Sequence, residues 1–409
     1  MYNIKLTDYV PEPHPAHSDR IVAAHYYAAW KHGAAEIHEG FNDLATDYPE
    51  RTPLMGYYDE ENPEVCDWGI KWATEHGINC FIYCWYRRPE NVGKPVTVEG
   101  LRGPHAIHEA LLRAKHRKHM KFALMFEVSP RWGATDEKDL LEHLMPFWMD
   151  TYFSSENYLV IDNKPVLFVF HPQRLAEECF DGAEGQKRAL DACRDYAKTR
   201  GFDGMIFAAC EYDEKKHFDY VDNGFDFRFG YASGYNAEED FTATDDEIVK
   251  GQCEIYQRQL AKDPYRFVPT ASCFSDPTPR FTERWNALGY RFREWGKIWY
   301  LSPMGYRRVL EEMKRISDTL PDGAWGKRMI MIDNWNEWDE GHYVAPSHEF
   351  GFQYLQAIRE ALTERDNLPD YRMPHDQGFT GYNTSWVTPD FSAVCAKRLE
   401  EKASAEKSK

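Results

Sequence analysis

Eight mostly apolar runs alternate with helical segments along the chain, and this alternation restricts the fold more than any other feature of the sequence. The run at Met329–Ile332 lacks the polar/apolar alternation of a half-buried strand, so it indicates a strand that is covered on both faces. The eight predicted strands are Ile21–Trp30, Asn79–Tyr86, Lys121–Glu127, Pro165–Phe170, Gly204–Cys210, Phe225–Tyr231, Phe267–Phe274 and Met329–Ile332.

Helices are predicted between these strands. Asn62, Pro63 and Glu64 are typical of a helix N-terminus, with proline at the first helical position, and Gly77 suits the position just after the helix end. The other helices are predicted at 104–119, 136–150, 183–200, 244–262, 302–318 and 349–364. About eight strand–helix units in series are typical of a (β/α)8 barrel.

A doubly wound parallel sheet is the competing architecture. The barrel is favoured because polar and aromatic residues follow many of the strands, and barrel active sites are built from those strand ends. These residues are Tyr26, Tyr27, Trp30, Trp85, Tyr86, Arg87, Glu127, Glu211, Tyr231, Asp276, Glu337 and Glu340. No Gly-rich dinucleotide turn or phosphate-binding loop follows any strand. We therefore predict a single barrel with long front-face loops at residues 1–365, followed by an extension with a charged tail at 366–409.

The last predicted strand leads into the most informative stretch, Arg328–Tyr343. Its apolar run is followed within one residue by acids, amides and two tryptophans, and Gly341 then breaks the chain. Carboxylates perform acid/base chemistry, amides hold hydroxyl groups, and indole rings cover the apolar face of a pyranose. This stretch predicts a sugar site at a barrel strand end. A solvated acidic turn is the alternative interpretation.

Glu337 and Glu340 are the best candidates for a catalytic pair, because hydrolysis of a glycosidic bond generally requires two carboxyl groups. They are three residues apart, so a helical turn would point both in the same direction. Glu127 and Glu211 are single acids that could equally belong to structural ion pairs. The predicted substrate-binding residues are the other strand-end residues named above, together with Arg280, Trp335, Asn336, Trp338 and His342.

Four tryptophans follow predicted strands one, two and eight, which are neighbours in a closed eight-stranded barrel. We expect Trp30, Trp85, Trp335 and Trp338 to form an aromatic wall beside the two glutamates, on which a pyranose stacks. Packing of the same indoles against barrel loops is the alternative. The turn from Asp276 to Arg280 contains two prolines and is rigid, so it would either aim these two side chains at the mouth or serve only as a stiff connection.

Composition restricts the partners. The formal charge of -18, from 67 acidic and 49 basic residues, argues against nucleic acid or an anionic membrane and suits a neutral oligosaccharide or glycoside substrate.

No histidine or cysteine cluster has metal-site spacing, so we predict neither a metal nor an organic cofactor. The nine cysteines are scattered and the N-terminus lacks the features of a secretory signal, which predicts a reduced, cytoplasmic protein. The oligomeric state is not indicated.

The motif at Trp335–Gly341, Trp-Asn-Glu-Trp-Asp-Glu-Gly, resembles the signature of the glycoside hydrolase family 99 group and of its WbsX-type members. Further segments match in the same order along roughly residues 20–360: HYYAAW on strand one, Arg51 with the GYY segment, FIYCWYR, FALMFE, YLVIDNKPVLFVF and the DPTPR turn. Strand three departs from the usual pattern, since it ends in FEVSPRW.

This resemblance implies a retaining mechanism. The first glutamate of the motif, Glu337, would assist attack by the 2-hydroxyl of the sugar itself, which gives a 1,2-anhydro intermediate. The second, Glu340, would act as general acid and then as general base. The implied substrate is an α-linked glycan of mannose- or rhamnose-type sugars. A WbsX-type glycosyltransferase and a non-catalytic sugar-binding barrel remain as alternatives.

Overall fold

The computed structural model describes residues 10–28, 30–31, 48–128, 133–211, 219–231, 239–281 and 297–377. Within these residues eight parallel strands surround a common core. They are β1 (Ile21–Tyr26), β2 (Cys80–Arg87), β3 (Lys121–Phe126), β4 (Lys164–Val169), β5 (Ile206–Glu211), β6 (Phe227–Gly230), β7 (Phe267–Val268 and Thr270–Ser272) and β8 (Met329–Asp333).

Each strand pairs in parallel with the next, and β8 pairs with β1, so the sheet closes on itself. Pro269 divides β7, because proline has no N–H to contribute to a ladder. The first segment of β7 pairs with β6 and the second with β8. Between the end of β6 and the second segment of β7, the Thr270 hydroxyl donates to the Gly230 carbonyl over 2.9 Å. The predicted barrel is confirmed, and the open doubly wound sheet is wrong.

In the part of the chain that the structure describes, five longer helices cover the outside of the barrel. They are α1 (Pro63–Glu75), α2 (Gly182–Thr199), α3 (Asp245–Lys262), α4 (Pro303–Asp318) and α5 (Gln353–Leu362). Between β3 and β4 a further helical stretch consists of Glu137–Asp139, Leu140–Leu144, Met145–Trp148 and Met149–Phe153. Short helical turns lie at Ala106–Ala110, Leu111–Arg113, Pro172–Arg174, Leu175–Cys179 and Trp325–Arg328.

The start of α1 follows the sequence prediction. The Asn62 side chain accepts a hydrogen bond from the Glu64 amide over 3.0 Å, which satisfies one of the free N–H groups of the first turn. Gly77 lies just beyond the helix with φ of 94°, and a Cβ atom there would come within 2.2 Å of Thr363. Glycine is therefore required both by the backbone conformation and by the close approach of α5.

The helix predicted at 104–119 is wrong in its second half. The chain becomes extended at Ala114, and the next two backbone amides, of Lys115 and His116, donate to the Asp67 carboxylate of α1 over 3.1 and 2.7 Å. A side-chain acceptor from a neighbouring helix thus replaces the carbonyls that would have continued the helix. The sequence of residues 114–119 contains no local signal for this long-range contact.

Alternate residues of the strands face the barrel interior and the helices. On β1, the His25 ring lies 5.5 Å from Phe229 and 5.0 Å from Tyr231 across the barrel, so it faces inward. The next residue, Tyr26, stacks at 4.4 Å on Tyr83 of β2 on the outer face. This alternation decides which strand-end residues can reach the mouth.

The beginning of the predicted C-terminal extension packs against α1. The Asp370 amide donates to Glu75 over 3.0 Å, and the Trp72 indole donates to the Arg372 carbonyl over 3.1 Å. The charged tail that the sequence predicts at 396–409 lies outside the described residues, and the boundary at 365 stays a prediction. Within the described part of the chain, no helix combines the length and the apolar character that a membrane crossing demands.

Candidate active site

The stretch after β8 is a β-hairpin, which corrects the helical turn considered from the sequence. Asn336–Glu337 pairs antiparallel with His342–Tyr343, so that Glu337 lies opposite His342. Gly341 closes the turn with φ of 62°, and a Cβ atom there would come within 2.2 Å of the Asp276 carbonyl oxygen. The hairpin geometry, and not a 3.6-residue period, therefore sets the positions of Glu337 and Glu340.

Both glutamates face the same inward-pointing side chains. Tyr231, at the end of β6, is buried, and burial followed by the charges of Glu337 and Glu340 raises the pKa of its hydroxyl well above the usual value. On β2, burial and the same two carboxylates, with Glu127, raise the pKa of the Cys84 thiol. The two glutamates thus share one space at the C-terminal mouth of the barrel.

A chain of polar contacts runs inward from Glu340. The His342 Nε2 atom lies 2.6 Å from a carboxylate oxygen of Glu340, and its Nδ1 atom lies 3.2 Å from Asp333. The Ser272 hydroxyl donates to the other Asp333 oxygen over 2.7 Å. His342 and Asp333 are almost completely buried, whereas 16% of the Glu340 side chain is exposed. Glu340 is therefore the solvent-facing end of this chain.

The opposite side of the mouth is formed by β1, β2 and β3. The pKa of the Tyr86 hydroxyl is raised by burial and by four neighbouring groups, which are Cys84, Tyr27, Glu127 and Glu337. Glu127 follows β3 and lies 3.7 Å from the ring of His171, which follows β4 and was not singled out from the sequence. Tyr27, Tyr86, Glu127, Tyr231, Glu337, Glu340 and His342 are the predicted site residues that the structure brings together.

Residues 51–60, here called the brace segment, fix the position of the hairpin by hydrogen bonds and an ion pair. Arg51 donates to the Asp276 carbonyl over 2.8 Å and forms a buried ion pair with its carboxylate. The Trp338 indole donates to the Tyr58 hydroxyl over 2.9 Å, and the Asn336 amide donates to Glu60 over 2.7 Å.

Asn336 also fixes the hairpin to the end of β1. Its side-chain oxygen accepts from the Tyr27 amide over 2.8 Å, and its nitrogen donates to the Tyr27 carbonyl over 2.9 Å. The Trp30 indole donates to the Asn336 backbone carbonyl over 2.8 Å. Because Asn336 is fully buried and its polar atoms are engaged in these bonds, its position is that of a support for the hairpin.

Several predicted substrate-binding residues instead face the surrounding helices. Trp85 packs at 5.4 Å against Trp148, Arg87 pairs with Asp139, and Glu211 lies 3.2 Å from Arg228, which also contacts α3. Tyr26 and Trp335 likewise pack against the ring of Phe81 on the outer face of the barrel. The reason is the two-residue period of a strand, which turns every second strand-end side chain away from the mouth.

The predicted aromatic wall is corrected by burial. Trp30, Trp85, Trp335 and Trp338 have exposed fractions of 0%, 3%, 3% and 1%. Asp276 is also buried, and its carboxylate accepts from Arg51, Thr278 and Tyr300. These buried residues therefore support the mouth of the barrel and do not line it. The side chain of Arg280 lies outside the described residues, so its predicted role stays a prediction.

We expect Trp85→Phe to lower the free energy of unfolding by about 2 kcal/mol, because a cavity replaces part of the indole and the hydrogen bond to Tyr152 is lost. Chemical denaturation measures this change. Sugar affinity of the folded variant, measured by calorimetry, should stay at the wild-type value. Weakened sugar binding with unchanged stability would restore Trp85 to the aromatic wall.

Within the described residues, no group of three or more histidine, cysteine, aspartate or glutamate side chains has the arrangement of a metal site. The residues that sequence reasoning did not assign to the site are His25, Asp333, Ser272 and His171. The available signal was weak, since each of them lies only near or just after the end of a predicted strand.

The fold and the mouth together define a class, the (β/α)8 barrels that carry carboxylates at their C-terminal mouth. The chain belongs to the WbsX family, whose sequence profile, described as "Glycosyltransferase WbsX", matches residues 42–358. The uncharacterized protein WxcX of Xanthomonas campestris pv. campestris is 23% identical over 382 residues, which cover 88% of this chain and 50% of WxcX. The chain thus spans about half the length of the curated relatives it matches.

Solved structures share the fold. The GH99 endo-alpha-mannosidase from Bacteroides thetaiotaomicron matches with a TM-score of 0.52 and 16% identity, over 84% of this chain and 97% of the mannosidase. A structure named as a glycoside hydrolase-like protein matches with a TM-score of 0.57 and 16% identity, over 87% of this chain and 98% of the other. The barrel predicted from strand–helix alternation therefore has known structural relatives.

Proposed function

We propose that this chain is a retaining glycoside hydrolase that cleaves an α-linked glycan of mannose- or rhamnose-type sugars. The observation that carries the proposal is the pair Glu337 and Glu340, on one buried hairpin at the C-terminal mouth of the barrel. Hydrolysis needs one group to assist at the sugar and another to protonate the leaving oxygen. The fold shared with an endo-alpha-mannosidase supports the same substrate class.

In the proposed reaction Glu337 takes the proton of the 2-hydroxyl as that oxygen attacks C1, and Glu340 gives a proton to the departing oxygen. The C1–O bond breaks with its electron pair on the leaving group, and a 1,2-anhydro sugar forms. Water then opens this ring at C1 while Glu340 takes its proton and Glu337 returns one to O2. Two inversions give net retention of configuration.

A glycosyltransferase is the second candidate, and the family description favours it. The two activities differ in their donor, since a hydrolase needs only a glycan and water, whereas a transferase of the usual kind needs an activated sugar such as a nucleotide sugar. No Gly-rich phosphate-binding loop follows a strand in this sequence, which favours the hydrolase. Cytoplasmic location stays a prediction from the sequence.

The test is a screen of the purified protein against 4-nitrophenyl α-D-mannoside, α-L-rhamnoside and related aryl α-glycosides, and against α-linked oligosaccharides labelled at the reducing end. We expect release of product from at least one α-mannoside or α-rhamnoside without added nucleotide sugar, and an initial product that is the α anomer by NMR. A first product of the β anomer would contradict retention. Turnover only with a nucleotide sugar would assign the chain to the transferases.

A further inference from the structure

We propose that Glu340 and His342 share one proton and together form the unit that protonates the leaving group, and that Asp333 is the positioning residue that keeps this proton in place at neutral pH. The proposal rests on the proposed glycosidase function and goes further, since it assigns roles to two residues that sequence reasoning did not connect with acid catalysis.

The geometry restricts where the proton can lie. His342 Nδ1 is 3.2 Å from the Asp333 carboxylate and His342 Nε2 is 2.6 Å from the Glu340 carboxylate, so the imidazole bridges two acids. Pairing of His342 with Glu337 across the hairpin fixes the backbone. The Tyr231 ring stands edge-on to the imidazole at 5.6 Å and 90°, which limits rotation of the ring.

The charges around this bridge favour retention of the proton. Burial opposes a charged imidazole, but the Asp333 and Glu340 carboxylates outweigh it and hold the pKa of His342 well above its usual value. The pKa of Asp333 is lowered despite its burial, because His342, His25 and Ser272 stabilise the carboxylate. Asp333 thus stays ionised and acts as a fixed negative charge at the inner end of the bridge.

Other titratable groups face the bridge from every side of the mouth. They are His25 on β1, Cys84 on β2, Glu127 after β3, Cys210 on β5, Tyr231 after β6, Cys273 after β7 and Glu337 on the hairpin. Burial lowers the pKa of His25 to about 4 and raises the pKa values of the thiols and of the Tyr231 hydroxyl. At neutral pH His25, the three thiols and the Tyr231 hydroxyl are uncharged, so Asp333 and the nearby glutamates supply the negative field at the bridge.

Each of the two protons at the His342 imidazole has a defined position in this unit. His342 keeps one proton on Nδ1, directed at Asp333, and the shared proton lies between Nε2 and the Glu340 oxygen. During bond cleavage the shared proton moves to the departing glycosidic oxygen, which leaves a neutral imidazole and the Glu340 carboxylate. The attacking water later returns a proton to the same position. Two interacting groups of this kind titrate as one unit, whose proton affinity Asp333 raises.

The test uses NMR of the whole protein labelled with ¹³C and ¹⁵N in histidine, and it requires no substrate. The signal of His342 is assigned by its loss in His342→Gln, among the 16 histidines of the chain. We expect the wild-type midpoint at least about one pH unit above the ordinary histidine value. Asp333→Asn and Glu340→Gln should each lower this midpoint by at least about one unit, because each removes a neighbouring negative charge.

Ser272→Ala is the matched control, since it removes a hydrogen bond to Asp333 without removing charge, and it should move the midpoint less than either acid variant. Glu340→Gln keeps the test decisive if Asp333→Asn does not fold. A wild-type midpoint at or below the ordinary value, or one that neither acid variant moves, would overturn the proposal. Because this readout needs no turnover, that outcome leaves the glycosidase assignment to the substrate screen.

Where an aryl glycoside is hydrolysed, the pH profile provides a second readout. The alkaline limb of kcat/KM should follow the midpoint of the shared proton, and Asp333→Asn should shift that limb to lower pH. A residue with a merely structural role would lower kcat/KM by the same factor at every pH. Such a uniform loss, with the limb unmoved, would contradict a positioning role for Asp333.

Discussion

Glu337→Gln and Glu340→Gln should each lower turnover of an unactivated glycan by at least about a hundredfold, because each amide removes a group with its own proposed role in proton transfer. Both variants should fold, since the carboxamide has nearly the same shape as the carboxylate. Glu211→Gln makes the same chemical change at a strand end but on the outer face, and it should leave turnover at the wild-type level. Steady-state kinetics with matched circular dichroism spectra measure these effects.

The leaving group separates the two roles. An aryl glycoside with an acidic phenol needs little proton donation, so Glu340→Gln should regain much of its rate in bond cleavage on that substrate. Glu337→Gln should not, because the 2-hydroxyl still requires a base. Equal losses on activated and unactivated substrates would show that the roles are assigned wrongly. Retained activity in either variant on an unactivated glycan would remove that glutamate from the mechanism.

Arg51→Ala should destabilise the protein by about 3–5 kcal/mol at neutral pH, because it leaves the buried Asp276 carboxylate without its cation. Arg113→Ala removes a cation from a half-exposed pair with Glu109 and should change the free energy of unfolding by less than about 1 kcal/mol. Urea denaturation of both variants gives the comparison. Similar values for the two would show that the Arg51 pair adds nothing beyond a surface contact.

Arg51→Ala should also reverse the way in which ionisation of Asp276 makes the free energy of unfolding depend on pH. Burial opposes ionisation of this carboxyl, but Arg51 and the hydrogen bonds from Thr278 and Tyr300 lower its folded-state pKa below the ordinary 3.8. Its stabilising contribution is therefore present above the ordinary pKa and is lost as pH falls through the folded value. Without Arg51 the folded pKa rises, so the stability deficit should be larger at pH 7 than at pH 4.

The hairpin also explains why loss of Arg51 should affect the candidate active site. Gly341, one residue after Glu340, is held against the Asp276 backbone, whose amide donates to the Gly341 carbonyl over 3.0 Å. Arg51 fixes Asp276 and thereby the turn. The brace segment thus connects a loop distant in sequence to the position of the predicted general acid.

The strand–helix alternation of the sequence was sufficient to predict the barrel. Strand existence depends on local apolar runs, and the predicted strands agree with β1–β8 to within a few residues. Helix ends that depend on local caps, such as Asn62, were equally predictable. The break at Ala114 was not, because the capping carboxylate of Asp67 is distant in sequence.

At the candidate site, the sequence by itself determined which residue types gather after β8, since the acids, amides and tryptophans are contiguous in the chain. Only the tertiary structure decided which of them face the mouth. Strand alternation turned Trp85, Arg87 and Glu211 outward, and the β-hairpin brought His342 between Asp333 and Glu340. Side-chain direction and contacts across the barrel depend on register and closure, which no local stretch of sequence encodes.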